Sequence, residues 1–180
     1  MPMNNTPQTF NLGAGFKFKG GGGGGPGGVR IEHRVGIQTP PDVIWDLIYD
    51  LDGWKDWNPL YPEASGQIRI GAPLSLKLAV PGEAVREIQP TVLEWVPREQ
   101  LHWRLKMLGG LVNNTRYIEI EQLAPASCIV ANGELFGGFL GQKVAARMGG
   151  KVFKGFEEMS LALKAAAEAR WQAQANAPKS

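Results

Sequence analysis

Three side chains of this 180-residue chain could carry proton chemistry inside an apolar site: His33, Tyr117 and Glu134. His33 shares the inward parity of an alternating strand, where a neutral imidazole could act as a general base or bind a ligand oxygen. Tyr117 could donate its hydroxyl to a carbonyl oxygen. Both also have a plainer reading, because such a histidine is commonly a satisfied core residue and strand tyrosines commonly pack half-buried. The sequence identifies candidates without fixing a catalytic residue.

The role of Glu134 depends on which face of its strand lies inward. It shares a parity with Asn132 and Phe136, whereas the more apolar set of residues alternates with them on the opposite face. On a face that lines a cavity, Glu134 would be a carboxylate in apolar surroundings, and its pKa would rise towards a useful value. The sequence leaves the choice of face open, and Asn132, Glu134 and Phe136 are ligand-binding candidates on the inward reading.

Tryptophans supply the second group of candidates, since Trp45, Trp54 and Trp57 fall within one short stretch. Large amphipathic rings either pack helices onto a core or line the mouth of an apolar cavity. Trp45 lies inside a predicted helix and is interpreted as core, whereas Trp54 and Trp57 follow it on a loop-like segment that could gate a ligand. Trp103 shares the inward parity of its strand, which leaves His102 outside, and could form a pocket wall or simple core.

Metal and cofactor chemistry find no support in the motifs. The chain has one cysteine, Cys128, which excludes an intramolecular disulfide and has no metal-ligand spacing around it. Lys19 precedes the glycine-rich stretch instead of following it, so this stretch is not a phosphate-binding loop. We therefore expect no metal and no cofactor, and interpret Cys128 as an inert buried thiol.

Composition limits the class of protein. With 43% hydrophobic residues and a net charge of +2, the chain fits one globular domain and gives no reason to expect a nucleic-acid partner. It has no apolar run of membrane-spanning length and no secretory signal pattern. We expect a cytoplasmic protein without stable membrane insertion, and the sequence leaves a monomer or a homodimer open.

The elements that position these residues follow from periodicity. Alternation predicts a strand over Val29–Ile37, and Thr39 is expected to cap a helix over residues 40–50, followed by a short helical turn. Turn residues then separate six further strands, giving about seven in one curved antiparallel sheet and an α+β fold. The predicted strands cover residues 64–70, 74–80, 84–95, 101–108, 112–123 and 127–136.

A long helix is predicted over residues 139–171, with an apolar stripe that the concave face of the sheet should cover. Met148 and Phe156 belong to this stripe and are candidates for the cavity wall. Gly149 and Gly150 interrupt it, which indicates a bend or a close approach. The basic residues beside the stripe could attract anionic lipid or a ligand carboxylate, or form a solvated flank. They are Lys143, Arg147, Lys151 and Lys154.

Three regions are predicted from composition: a glycine-rich tail over residues 1–28, the domain over residues 29–172, and a short tail over residues 173–180. Phe10, Leu12, Phe16 and Phe18 alternate within the first tail. They could add an edge strand or dock on a partner.

Residues 29–170 also carry a series of motifs in a suggestive order. They are Pro40, Val43, Trp45, Asp50 and Trp57-Asn58-Pro59; Gly66, Gly71 and Leu74; Pro97, Leu101, Trp103 and Arg104; and Glu134, Phe136 and Gly138. In this order the chain resembles the SRPBCC superfamily, which contains START lipid-transfer domains, birch-pollen-allergen-like proteins and polyketide cyclase/dehydrase-like proteins. The resemblance implies a helix-grip fold whose cavity, between sheet and long helix, holds a hydrophobic or amphipathic small molecule. One departure is residues 113–117, which lack the histidine that many bacterial members carry there.

Three functional hypotheses follow, in this order. The first is a binding, transport or sequestration protein for a lipid, aromatic or polyketide-like metabolite. The second is a cyclase or dehydratase-like enzyme in which His33, Tyr117 or Glu134 moves protons. The third is a protein-interaction module.

Overall fold

The computed structural model describes residues 28–177. Within these residues the chain forms eight strands and two α-helices, with 3-10 turns at Asp52–Asp56 and Leu108–Gly110. In chain order the elements are β1 Val29–Ile37, α1 Pro41–Tyr49, β2 Glu63–Gly66, β3 Leu74–Leu78, β4 Arg86–Ile88, β5 Thr91–Val96, β6 Gln100–Met107, β7 Val112–Ala124, β8 Ser127–Gly137 and α2 Gly141–Ala175. The predicted α+β class, with its antiparallel sheet and long C-terminal helix, is confirmed. Of the two predicted tails, residues 1–27 and 178–180 lie outside the described residues, whereas residues 173–175 form the end of α2.

The strands form a five-stranded sheet in the order β1-β8-β7-β6-β5 and a three-stranded sheet in the order β2-β3-β4, all antiparallel. An isolated bridge between Pro73 and Thr91 connects the two, so the strands follow one curved surface. The strand predicted over residues 84–95 is divided into β4 and β5. Its interruption contains Pro90, which cannot donate to a strand ladder and ends the pairing of β4.

Helix α1 begins at Pro41, with Pro40 as its N-cap. The predicted Thr39 cap is wrong, because the Thr39 hydroxyl donates to the Pro40 carbonyl instead of receiving a helix N–H. Ile44 and Trp45 are buried on the inner face of the helix. Trp45 stacks on Trp95, with ring centroids 6.3 Å apart, which agrees with its interpretation as core.

Helix α2 packs against β1, β8 and β7 and covers the concave face of the large sheet. It begins two residues later than predicted, at Gly141, and continues to Ala175. The helix is unbroken at Gly149 and Gly150. A Cβ at Gly149 would lie 3.1 Å from the Ile31 side chain, so this glycine permits a close approach to β1. No helix among residues 28–177 is long and apolar enough to cross a membrane.

Candidate functional site

A cavity of about 60 Å³ lies between α2, the concave face of the large sheet and the three-stranded sheet. Most of its wall is apolar or aromatic, and four polar residues, Arg86, Asn114, Arg116 and Glu134, interrupt it. Typical small-molecule pockets occupy roughly 300–1,000 Å³. The structure therefore shows the expected gap in a nearly closed form, with room for a few water-sized groups.

Arg116 is the most constrained polar residue of this wall, with 3% of its surface exposed. Its Nε–H donates to the Tyr61 hydroxyl at 3.3 Å, and Nη1 donates to the carbonyls of Tyr117 and Gly133. Nη2 donates to the Asn132 amide oxygen and approaches the Met159 sulfur at 3.5 Å. Every N–H group of the guanidinium thus has a protein partner.

Aromatic rings enclose the same guanidinium. Its carbon lies 4.2 Å from the Phe156 ring centroid and 5.3 Å from that of Trp103, both within the range of cation–π attraction. Inward parity on β7 places Arg116 here, since Val112, Asn114, Ile118 and Ile120 face the same side. The result is a fixed positive charge in the floor of the cavity.

Tyr61 reaches the cavity from the segment between the first 3-10 turn and β2. The Asn58 side chain holds this segment by accepting hydrogen bonds from the N–H groups of Leu60 and Tyr61, at 3.1 and 3.0 Å. Burial raises the pKa of Tyr61 above its ordinary value, although Arg116 acts in the opposite direction. The phenol is therefore neutral, and because it accepts from Arg116 it keeps its O–H for donation.

Glu134 projects from β8 onto the concave face. Burial raises its pKa to about 7, despite the opposing effects of Arg116, a hydrogen bond from Asn114, and Arg86. Desolvation of the carboxylate therefore outweighs two positive charges. A group with this pKa can release or take up a proton near neutral pH.

Asn114 contributes an unsatisfied acceptor. It is 4% exposed, and its Oδ1 atom has no hydrogen-bond partner within the part of the chain that the structure describes. A buried acceptor without a donor costs about 1–3 kcal/mol. A water or a ligand N–H or O–H in the cavity would remove this cost.

Asn132 and Ser160 connect Arg116 to helix α2. The Asn132 amide donates to the Phe156 carbonyl and to the Ser160 hydroxyl, both at 3.1 Å, while its oxygen accepts from Arg116. Asn132 thereby ties α2 to the guanidinium. It holds the cavity floor and does not line the cavity, contrary to the expectation of ligand contact.

The structure brings five of the predicted ligand-binding residues to the cavity wall. They are Trp103, Glu134, Phe136, Met148 and Phe156. The open question about β8 is settled by this placement, since Glu134 and Phe136 face inward. That these residues bind a ligand stays a prediction.

Trp54 and Trp57 are not at the cavity. Trp54 is fully buried in the core, where its indole N–H donates to the Ile48 carbonyl at 3.1 Å. Trp57 packs edge-on against Trp54, with ring centroids 6.1 Å apart. These contacts anchor the 3-10 turn to α1, so the expectation that the two rings wall a pocket is wrong.

Tyr117 faces away from the cavity, on the convex side of the sheet. It follows Arg116 on β7, and alternation sends the two side chains to opposite faces. Its hydroxyl donates to the Glu32 carboxylate. Burial and the neighbouring Glu32 raise the pKa of Tyr117 above its ordinary value. Tyr117 therefore cannot act on a ligand in the cavity.

His33 lies under the outer flank of α2 and does not reach the cavity. Its ring packs edge-on against Phe153, with centroids 5.8 Å apart. Burial lowers its pKa, partly offset by Glu157. Of the three proton-transfer candidates, only Glu134 lines the cavity.

Sequence reasoning missed Tyr61, Arg86, Asn114 and Arg116. A signal existed for two of them, since Asn114 and Arg116 occupy the apolar parity of β7, with Val112, Ile118 and Ile120. Cys128 is buried, as expected, with its Sγ 3.4 Å from the Thr39 carbonyl oxygen. Within residues 28–177 no group of three or more His, Cys, Asp or Glu side chains could hold a metal ion.

Three solved structures of low sequence identity share the fold of this chain. The Zhui aromatase/cyclase from Streptomyces sp. R1128 is 17% identical, with a TM-score of 0.65, over 80% of this chain and 96% of that one. A START superfamily protein from Mycobacterium smegmatis is 19% identical, with a TM-score of 0.58, over 82% and 99%. Norcoclaurine synthase from Thalictrum flavum is 15% identical, with a TM-score of 0.58, over 84% and 90%. At these identities the likeness concerns the fold.

No curated protein matches the chain significantly in sequence. The family described as polyketide cyclase/dehydrase and lipid transport, in contrast, matches residues 28–168. This match spans most of the chain and confirms the resemblance to the SRPBCC superfamily. The chain therefore belongs to the polyketide cyclase/dehydrase and lipid transport family.

Proposed function

We propose that the protein binds a small hydrophobic or amphipathic molecule in the cavity under α2. The family supports hydrophobic ligand binding or a polyketide cyclase-like role. The observation that carries the proposal is the cavity wall itself, in which apolar and aromatic side chains surround an ionisable Glu134 and the unsatisfied Asn114 oxygen. Such a wall suits an apolar body with a few polar groups.

The polar residues restrict the chemistry of this ligand. Asn114 offers an acceptor and requires a donor, as a ligand hydroxyl or amine would provide. Tyr61 offers a donor that suits a carbonyl or phenolic oxygen. The N–H groups of Arg116 are all engaged, so its guanidinium acts on a ligand through its charge and its stacked rings. A lipid, aromatic or polyketide-like metabolite with oxygen substituents meets these requirements.

Access requires movement, because the closed cavity holds far less than such a ligand. Leu78, Ile88, Met107 and Met148 are half-buried at its edge, where methionine side chains can change rotamer at low cost. The Lys151–Glu83 ion pair spans the same side, between α2 and the β3–β4 connection. We place the opening between α2 and the three-stranded sheet.

Binding can be tested with Nile red, an apolar dye, and with native mass spectrometry of protein purified from its own host. We expect saturable dye fluorescence, a co-purifying small molecule and a roughly tenfold weaker dye affinity in Val144→Phe, which fills the cavity. Leu123→Phe, at an exposed position at the far end of β7 and away from the cavity and its proposed opening, is the matched control. Equal dye binding by both variants would show that the dye site lies elsewhere.

A second candidate function is acid–base catalysis of a cyclase or dehydratase type, and the pKa of Glu134 favours it. Glu134 would take or supply the proton, while Tyr61 would donate a hydrogen bond to a substrate oxygen. Carbon-13 NMR titration of glutamate carboxyl groups, with Glu134→Gln for assignment, tests this role. A midpoint near 7 is expected, and a midpoint near 4.5 would remove Glu134 as the catalytic group.

Three expectations about cellular location and binding partners also remain part of the proposal. They are a cytoplasmic location, the absence of a nucleic-acid partner, and a monomer or homodimer. Native mass spectrometry of the same preparation reports the oligomeric state directly.

A further inference from the structure

Two loops at one end of the large sheet expose an apolar surface that the ligand site does not explain. Residues 108–111 connect β6 to β7, and residues 138–140 connect β8 to α2. The Leu140 N–H donates to the Leu111 carbonyl at 3.1 Å, so the loops lie side by side. Their exposed apolar side chains, with the exposed fraction of each, are Leu108 at 62%, Leu111 at 49% and Phe139 at 89%.

Leu108, within this surface, also has a strained backbone conformation. Its φ of 52° lies in the left-handed region, which a leucine rarely adopts. Strained residues of this kind cluster at functional sites. Contiguous exposed apolar surface in turn marks contact with a protein or a membrane.

The charge around the loops distinguishes between these two partners. No Asp or Glu occurs in residues 105–118 or 135–156, although the whole chain is nearly balanced at +2. Lys106 precedes the first loop, and Lys143 and Arg147 occupy the first turns of α2 after the second; all three are exposed. Apolar tips beside a basic flank match an anionic lipid surface, with basic residues at the headgroups and apolar side chains below them.

We propose that residues 108–111 and 138–140 dock on the surface of an anionic phospholipid bilayer. Leu108, Leu111 and Phe139 enter the headgroup region, and the basic residues nearby contact lipid phosphates. Two residues that line the cavity lie next to these loops in the chain: Met107 directly precedes the first loop, and Val144 lies in the first turn of α2 after the second. Docking therefore turns one end of the cavity wall towards the bilayer, and it does not depend on whether Glu134 catalyses a reaction.

Co-sedimentation of the full chain with lipid vesicles tests the proposal. We expect binding to phosphatidylcholine vesicles that contain phosphatidylglycerol, weaker binding as salt rises, and little binding to phosphatidylcholine alone. The variant Leu108→Asn/Phe139→Ser should bind about tenfold more weakly. Asparagine tolerates the left-handed conformation, so the fold is preserved. The matched control is Leu123→Ser/Leu161→Ser, at similarly exposed positions away from the two loops.

A charge variant supplies a second measurement. Lys143→Glu/Arg147→Glu should lose most binding at low salt, whereas Lys55→Glu/Arg69→Glu, exposed elsewhere, should keep it. Circular dichroism and thermal unfolding verify the fold of each variant. The proposal is overturned if the wild type binds neither kind of vesicle. The exposed loops would then be assigned to contact with a protein partner. The proposal is equally overturned if the loop and charge variants bind as well as their controls.

Discussion

The two faces of the large sheet carry polar clusters that both include residues of β7, and they differ in how charge is compensated. On the concave face, burial raises the pKa of Glu134 to about 7. On the convex face, burial would also raise the pKa of Glu32. Hydrogen bonds from Tyr117 and Arg34, and the charges of Arg34 and Arg30, outweigh it and lower that pKa.

The two glutamates are close neighbours along the backbone of the sheet, with side chains on opposite faces, since β1 pairs Ile31 with Glu134 and Glu32 with Gly133. Burial penalises both carboxylates. The Glu32 carboxylate contacts two arginines and the Tyr117 hydroxyl directly. Beside Glu134, in contrast, the N–H groups of Arg116 donate to other acceptors. The direction of the shift is thus decided by how many donors are left for the carboxylate, and only the concave group is prepared for proton transfer near neutral pH.

The largest expected effect comes from removing the charge in the cavity floor. Arg116→Met should lower the free energy of unfolding by about 3 kcal/mol, because it leaves the Asn132 amide and two carbonyls without their donor. Urea unfolding at neutral pH measures this loss. Arg98→Met, at an exposed position, should change stability by less than about 0.5 kcal/mol. A loss below about 1 kcal/mol in Arg116→Met would show that the buried guanidinium is structurally dispensable.

The next effect is a pH dependence of opposite sign on the two faces. Glu134 binds its proton more tightly when folded, so its contribution to stability is present below about pH 4.5 and is lost as pH rises towards 7. Glu134→Gln should therefore be more stable than the wild type at pH 8, by roughly 2–3 kcal/mol.

Glu32 supplies the matched comparison for that titration. Its lowered pKa gives stability above the unfolded value near 4.5, which is lost as pH falls through the folded value. Glu32→Gln should thus be less stable than the wild type at neutral pH and similar to it in acid. Unfolding curves from pH 3 to 8 separate the two cases, and parallel curves for both variants would refute the assignment.

A third difference concerns packing. Gly133 lies directly under the Tyr117 ring, so a Cβ there would displace the phenol from Glu32. Gly133→Ala should cost about 2 kcal/mol through overpacking. Gly36, on the neighbouring strand of the same sheet, has nothing within 4 Å of a built Cβ, and Gly36→Ala should be neutral or slightly stabilising. Equal thermal shifts for the two variants would contradict this account of Tyr117.

The sequence predicted the fold well, because the signals were long and periodic. The apolar stripe of α2 and the alternation of β1 each extended over many residues, and the structure places both as expected. The predicted strand over residues 84–95 was divided because a single proline outweighed the surrounding alternation. Parity also placed Trp103 inward and His102 outward on β6.

The site was harder to predict, since it depends on single residues that oppose the pattern. On β7, Tyr117 is more apolar than Arg116, so a rule based on hydrophobicity assigns the wrong one to the interior. Parity with Ile118 and Ile120 assigns the right one. The cavity volume could not be predicted at all, because it depends on shifts of an ångström in side-chain packing.

The smallest effect is expected on the convex face, where the pair between His102 and Glu119 joins β6 to β7 at 3.0 Å. Glu119 is 28% exposed, so water competes for its carboxylate and the pair contributes little. Glu119→Gln keeps a hydrogen-bond acceptor and should lower the free energy of unfolding by less than about 1 kcal/mol. Urea unfolding beside Arg116→Met gives the comparison directly. If Glu119→Gln costs as much as Arg116→Met, the convex cluster is as dependent on its charges as the cavity floor, and the distinction between the two faces fails.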